Sequence, residues 1–300
     1  MKKAFNIFLA ISLMLFVYYF KEDIFILYNK YLVPIEKKTT TLVKNEYYRE
    51  YDFSYFKNTN NFIPKNKDDL KNIYYTVVNS GMENFTFYCP NDYQKCINDV
   101  NEIANDQNII STINNFVNPY NSFKTLKTEI DTSGRVNIHI EKVYDNEMII
   151  LINYKIDEIY NQIIKDNLTK EEKIKKIHDY IINNTKYDIL RSDDKIINYQ
   201  SDNAYGVLIE KYGICSGYTD AMMLFLEKMA IENIKISTDN HVWNYVKLDD
   251  EYLHLDLTWD DPTNPNGPDI LDNTYFLISD NELKSIEKIE HNYDKEIYKN

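Results

Sequence analysis

Apolar residues recur along this chain with two periods, and the switches between them mark out its elements. Residues 4–20 form a nearly continuous apolar run, interrupted at Asn6 and Ser12 and preceded by Lys2 and Lys3. As a helix rising about 1.5 Å per residue it would reach roughly 25 Å, slightly short of a hydrocarbon core of about 30 Å. Residues 34–66 are polar, charged and tyrosine-rich with little periodicity, so a linker is expected over 29–66. From Leu70, apolar residues at Ile73, Tyr74, Val77 and Val78 follow helical spacing, and Ser80-Gly81 is a stop. Residues 84–88 read as a strand and 93–104 as a helix. Residues 122–130, 136–143 and 148–154 read as strands, with Thr132-Ser133-Gly134 turning between the first two. Thr169 and Glu172 have capping-box spacing ahead of a face made by Ile174, Ile177 and Ile181.

The last third is more sharply patterned. A short apolar segment over 204–212 ends at Gly213, a residue suited to a helix stop. Beyond it Tyr218, Ala221, Met222, Phe225 and Met229 line one helical face, which puts Cys215 at or just before that helix's N-terminus. There the free N–H groups and the helix dipole favour a negative charge. Gly217 is expected to keep the first turn open to a substrate. Residues 241–248 and 252–259 both alternate with period two, and Asp249-Asp250 lies between them as a turn. A loop of two or four residues gives one register, with Lys247 facing Tyr252 and Trp243 facing Asp256. His241 is then the diagonal neighbour of Asp256, with Cα atoms roughly 7–8 Å apart and an imidazole–carboxylate bond within reach. A three-residue loop would put the two side chains on opposite faces.

Composition narrows the function classes. The net charge is −13, which excludes the basic footprint of a nucleic-acid binder. The 300 residues suffice for one large domain or two smaller ones. There is no internal repeat, no glycine-rich phosphate loop and no His/Cys cluster with zinc spacing. No metal or cofactor is expected. Asp260, Asp261, Asn264, Asn266, Asp269 and Asp272 form an oxygen-rich stretch, but it lacks calcium-loop spacing and is rich in loop-forming Pro and Asn. Lys2 and Lys3 would keep the N-terminus of the apolar run in the cytoplasm. A single-pass signal anchor over residues 1–28, with the rest outside the cell, is the better reading than secretion after cleavage, because no small-residue cleavage pattern follows the run. Three cysteines agree with export: Cys89 and Cys96 as a disulfide, or as two buried thiols, with Cys215 left over.

Cys215, His241 and Asp256 are therefore the candidates for nucleophile, base and orienting acid. A thiolate needs a base to take its proton, and the base needs an acceptor to hold its ring. His254 competes as base, but it lies two residues from Asp256 on one strand, a poor hydrogen-bond geometry. His139, His178 and His291 have no motif around them and read as structural or exposed. Tyr218, Trp243 and Trp259 are candidates for the substrate-site wall, and the two tryptophans read first as aromatic core packing with a share of that wall.

The segments Gly213-Ile214-Cys215-Ser216-Gly217-Tyr218, His241-Val242-Trp243-Asn244 and Asp256-Leu257-Thr258-Trp259-Asp260-Asp261-Pro262 resemble those of the transglutaminase-like superfamily. These are papain-like cysteine acyltransferases and peptidases. Tyr275-Phe276-Leu277-Ile278-Ser279-Asp280 resembles the strand that follows in such proteins, and the likeness covers roughly residues 160–285. It implies an α+β catalytic domain over 156–300, a helix bearing the Cys packed on an antiparallel sheet bearing the His and Asp. An α+β region over 67–155 would precede it. It also implies nucleophile, base and acid roles for Cys215, His241 and Asp256 and a thioester intermediate; the expected location outside the membrane, by itself, points to protein or peptide substrates at the cell surface or wall. For an upstream oxyanion side chain, Tyr205 is the candidate. Cross-linking and hydrolysis both remain open, as does a catalytically silent surface binding module or a membrane-tethered structural partner.

Overall fold

A computed structural model of the chain describes residues 12, 14, 16–24, 38–193, 195–262, 270–286 and 289–299. It divides into two compact units, residues 1–38 and 39–300. In the first, residues 16–19 and 21–24 are helical, and Phe16 packs on Phe20 with ring centroids 4.8 Å apart. Among the described residues no helix is long and apolar enough to cross a membrane. The anchor expected over 1–28 is thus unsupported, and most of that segment lies outside the described residues.

The second unit opens with residues 39–66, where a linker was expected. Thr40 instead bonds Thr86 through both backbone and side chain, and Phe53 and Phe56 are buried. Their aromatic rings pack on Tyr75 and Phe116, so apolar burial overrides the polar appearance of the stretch. Helix α1 (Lys67–Asn79) has Asn66 as its N-cap, accepting from the Asp69 N–H. Strands β1 (Asn84–Tyr88), β2 (Phe123–Ile130) and β3 (Arg135–Lys142) form an antiparallel sheet in the order β1-β3-β2. Helices α2 (Cys96–Asn105) and α3 (Gln107–Phe116) intervene.

Residues 148–154 are not a strand. They lie in α4 (Asn146–Ile163), capped by Asp145, with Met148, Ile152, Ile156 and Ile159 buried on one stripe. A short apolar run cannot separate buried strand from helix by period, and here the cap and the longer 3.6-residue stripe decide. The boundary expected at 155/156 falls inside this helix, and residues 39–300 form one unit.

A disulfide joins Cys89 to Cys96 across 5.7 Å between Cα atoms. Loop-closure entropy puts the cost of losing so short a bridge at about 2.5 kcal/mol. A reductant should therefore lower the urea midpoint of the unaltered protein and leave that of a Cys89→Ala/Cys96→Ala variant unmoved.

Helix α5 (Lys170–Asn184) carries the full capping box of Thr169 and Glu172. After it come β4 (Lys186–Tyr187), the short helix α6 (Ile189–Asp193), a π-helical turn over Gly206–Glu210, and β5 (Tyr212–Gly213), parallel to β4. Lys211, not Gly213, takes the left-handed conformation that ends the turn, at φ 69°. Helix α7 (Cys215–Lys228) then packs on a second antiparallel sheet, β6 (Asn233–Ser237), β7 (Val242–Leu248) and β8 (Glu251–Leu255), ordered β6-β7-β8. One face of that sheet gives Ile234, Ile236 and Trp243 to a core shared with α1–α3, and the other gives Val246 and Leu255 to a core shared with α4, α5 and α7. The chain closes with α8 (Asp280–Ile286) and an irregular segment over 289–299. Residues 275–280 form no strand; only Ile278 bridges, to His254.

Candidate active site

The seat of Cys215 is built from backbone bonds. The Asp188 N–H donates to the Gly213 carbonyl and the Ile214 N–H to the Ser201 carbonyl, fixing the chain just before α7. Helix α7 begins at Cys215 with no side-chain cap, so its first N–H groups receive no side-chain acceptor. The Thr219 hydroxyl lies 2.8 Å from the Cys215 carbonyl oxygen and 3.0 Å from that of Val242, tying the helix start to β7. Gly217 does not open the turn to substrate. A Cβ there would overlap the Ser201 carbonyl oxygen and crowd Val207, so its smallness lets α7 lie against the 201–203 loop. Gly213 is likewise small because a Cβ would meet the Tyr218 ring. Gly217→Ala should destabilise the protein by about 1–3 kcal/mol through overpacking and slow alkylation of Cys215. Thermal melting and labelling rates on the same samples check both.

His241 immediately precedes β7, and Asp256 immediately follows β8. The hairpin turns at Asp249-Asp250, with Asp249 left-handed at φ 52° and Lys247 paired to Tyr252. In this register His241 Nε2–H donates to Asp256 Oδ2 at 2.5 Å. The ring stacks on Trp243 at 5.6 Å and meets the edge of Trp259. Its other nitrogen is Nδ1, and Cys215 is among the groups near enough to favour the imidazolium. Cys215 is half-buried, and the other two members are buried.

Electrostatics favour charge on both buried members. Burial opposes the imidazolium, but the Asp256 carboxylate outweighs it and, with the Cys215 contact, raises His241 to about 10. Burial opposes the carboxylate too, yet His241 and His291 hold Asp256 well below the usual carboxylate range. Asp256 Oδ1 also accepts the Thr258 and Trp259 N–H groups, at 3.0 and 3.2 Å.

The remaining candidates divide. Trp243 and Tyr218 are fully buried, so they are core rather than substrate wall. The Tyr218 hydroxyl donates to Asp261 Oδ2 at 2.5 Å and pins the 256–262 segment to α7. Trp259 does face a recess, of about 320 Å³, with Tyr187, Thr258, Asp261 and Pro262. Tyr205 lines a different recess, beside Lys142 and Met148. The tyrosine that does feel Cys215 is Tyr187, whose hydroxyl is pushed up by burial first and by Cys215 among its neighbours.

His254 is held as a neutral ring. Its Nδ1 accepts the Trp243 indole N–H at 2.9 Å, so Nε2 carries the proton and donates to Asp280 at 2.9 Å. Burial, then His291 and Lys295, push it down to about 3. His178 is buried between Asp179 and Asp260, and His139 is exposed beside Asn84. Asp260, Asp261 and Asp272 accept protein donors; Asn264, Asn266 and Asp269 lie outside the described residues. His291, which sequence reasoning passed over, reaches Asp256 Oδ2 with its Nε2 at 2.8 Å. No local pattern around it gives this away. Ligand atoms of His241, Asp256 and His291 lie within 4.8 Å of one another. Two of the pairs stand at 2.5 and 2.8 Å, hydrogen-bonding distances shorter than the roughly 3.3 Å between tetrahedral zinc ligands.

The site combines a thiol at a helix start with a hydrogen-bonded imidazole and carboxylate at the ends of neighbouring strands. Consistent with it, residues 157–257, which include all three, match the Transglutaminase-like superfamily, so this stretch is a transglutaminase-like domain. A solved structure described as a crystal structure of a TGase is similar over 49% of this chain and 47% of that one, at 13% identity and a TM-score of 0.33. No sequence among the curated proteins matches the chain.

Proposed function

We propose that the chain is a cysteine enzyme that attacks carboxamide or peptide carbonyls through Cys215, His241 and Asp256. The observation that carries this reading is one imidazole bonded to a buried carboxylate and raised in pKa by it and by the thiol at the start of α7. His241 Nδ1 takes the thiol proton, and the sulfur forms a bond to the carbonyl carbon as the π electrons move to oxygen. Backbone N–H groups at the start of α7 supply donors for that oxyanion. As the tetrahedral species collapses, the C–N bond breaks, and His241 returns the proton to the leaving amine. A thioester remains. Water or an amine then attacks it, the incoming nucleophile losing a proton to His241 and the sulfur leaving. Asp256 keeps the imidazolium paired throughout. The recess at Trp259 and Tyr187 is the natural seat for the acyl substrate. The Cys89–Cys96 bridge supports placing this chemistry in an oxidising compartment, acting on proteins or peptides there.

Cys215 is the one free thiol among the chain's three cysteines, so alkylation reads a single site. Iodoacetamide labelling across pH 5–9 should be rapid well below pH 8 and slow in His241→Ala. An ordinary thiol titration near pH 8.5, the same in both proteins, would sink the proposal and leave the binding-module reading.

A further inference from the structure

We propose that His291 is a positioning residue of this site: it holds the Asp256 carboxylate in the plane from which that carboxylate orients His241. The inference rests on the cysteine-enzyme reading above and adds a fourth side chain to it, from outside the matched residues 157–257.

The geometry is specific. His291 Nε2–H donates to Asp256 Oδ2 at 2.8 Å, the same oxygen that accepts from His241 at 2.5 Å. Oδ1 takes the Thr258 and Trp259 N–H groups. Two donors on each oxygen leave the carboxylate no freedom to rotate. The His291 ring is itself locked. It stacks on Tyr275 at 5.3 Å and 15°, and it meets the edges of Trp243 at 4.6 Å and Trp259 at 5.1 Å. The segment that carries it is held on both sides. The Thr238 hydroxyl donates to the Glu290 carbonyl at 3.0 Å. Tyr298 accepts from Asn115 at 2.8 Å and from the Ser237 N–H at 3.3 Å. A residue needed only to fill space would not require a donor aimed at the one oxygen that binds the base. Because Oδ2 is shared, losing His291 leaves that oxygen with a single donor and lets the carboxylate turn away from His241.

The test compares Cys215 alkylation against pH in the unaltered protein, His291→Ala, His291→Asn and His241→Ala. A hydrogen bond to a charged group sets the expected scale. Labelling at pH 6 should fall about tenfold to a hundredfold in His291→Ala, with its pH midpoint moving towards that of His241→Ala. The amide of His291→Asn, which can still donate, should recover most of the loss. A purely structural role would change melting temperature without moving the pH midpoint.

A His291→Ala profile that overlays the unaltered one, while His241→Ala departs from it, overturns the proposal and leaves the triad standing. If the unaltered protein and His241→Ala label alike, the triad itself fails, and this proposal with it. Since removing a buried ring can unfold the protein, a second measurement uses the unaltered chain. Nitrogen NMR of its labelled histidines should find the His291 Nε2 proton bound and slow to exchange. A deprotonated Nε2 overturns the proposal regardless of how the variants behave.

Discussion

Asp256→Ala is expected to slow Cys215 alkylation at pH 6 to the rate of an ordinary thiol and to cost about 3–5 kcal/mol of stability, the penalty for breaking a buried ion pair. The carboxylate is buried and accepts four donors, two imidazole N–H groups and two backbone N–H groups. Alanine strands all four and leaves the imidazolium of His241 without its partner. An ordinary thiol is only about 0.3% ionised at pH 6, so the expected drop is large, though an ordinary thiolate is intrinsically more nucleophilic and offsets part of it. Turnover, once a substrate is in hand, should fall by about 10⁴, as when an orienting acid is lost from a comparable triad. Labelling kinetics and urea unfolding check the two halves separately.

The same pair sets a pH window. His241 is raised to about 10, so its contribution to stability is complete below its unfolded value near 6.5 and disappears as pH rises through 10. Asp256 is depressed, so its contribution is complete above its unfolded value near 3.9 and disappears as pH falls through the folded one. Together they place the full benefit between about pH 4 and 6.5. In Asp256→Ala this dependence should flatten at both ends.

Asp220→Ala is expected to have a comparable effect on stability, about 3–5 kcal/mol, by a different route. Asp220 lies on α7, five residues after the thiol, and pairs with Lys235 on β6 at 2.7 Å with both side chains buried. Its second oxygen accepts from the Tyr144 hydroxyl at 2.6 Å, which in turn accepts the Ala204 N–H at 2.8 Å. Burial and the neighbouring Asp220 charge push that hydroxyl well above its ordinary value, so it remains a donor. One carboxylate thus binds α7 to the sheet and to the segment ahead of the π-helical turn. Removing it strands a buried ammonium. Adding Lys235→Met to Asp220→Ala should recover much of the loss, because the stranded charge goes with it. A urea midpoint no higher in the double variant than in Asp220→Ala alone would mean that the pair is not what holds these elements together.

The site was legible in sequence wherever local geometry sufficed. Asp249-Asp250 between two alternating runs marks the turn, and the two-residue loop sets the register, one of the two the pattern allowed, that brings His241 to Asp256. The start of α7 at Cys215 follows from the helical face beginning at Tyr218. What escaped depends on burial by distant parts of the chain. Residues 39–66 look polar, yet the buried Phe53 and Phe56 find partners on the distant α1 and α3 as well as in the neighbouring Tyr51 and Tyr55. Residues 148–154 are too short a run to reveal a period without the rest of α4. Tyr218 and Trp243 carry motif signals that suit a substrate wall as well as a core, and both are buried. His291 carries no local signal, because its partner is thirty-five residues away.

The chain has only six glycines, and three of them fall at positions 206, 213 and 217. At each, a methyl group would run into neighbouring atoms: the Gln200 carbonyl, the Tyr218 ring and the Ser201 carbonyl, respectively. Sequence drift in this protein should therefore be unevenly permitted. A saturation library selected for folded protein would tolerate change over most exposed helix faces and lose nearly every variant at these three sites. The region around the thiol would stand out in such data as a dense block of intolerance even before any activity was assayed.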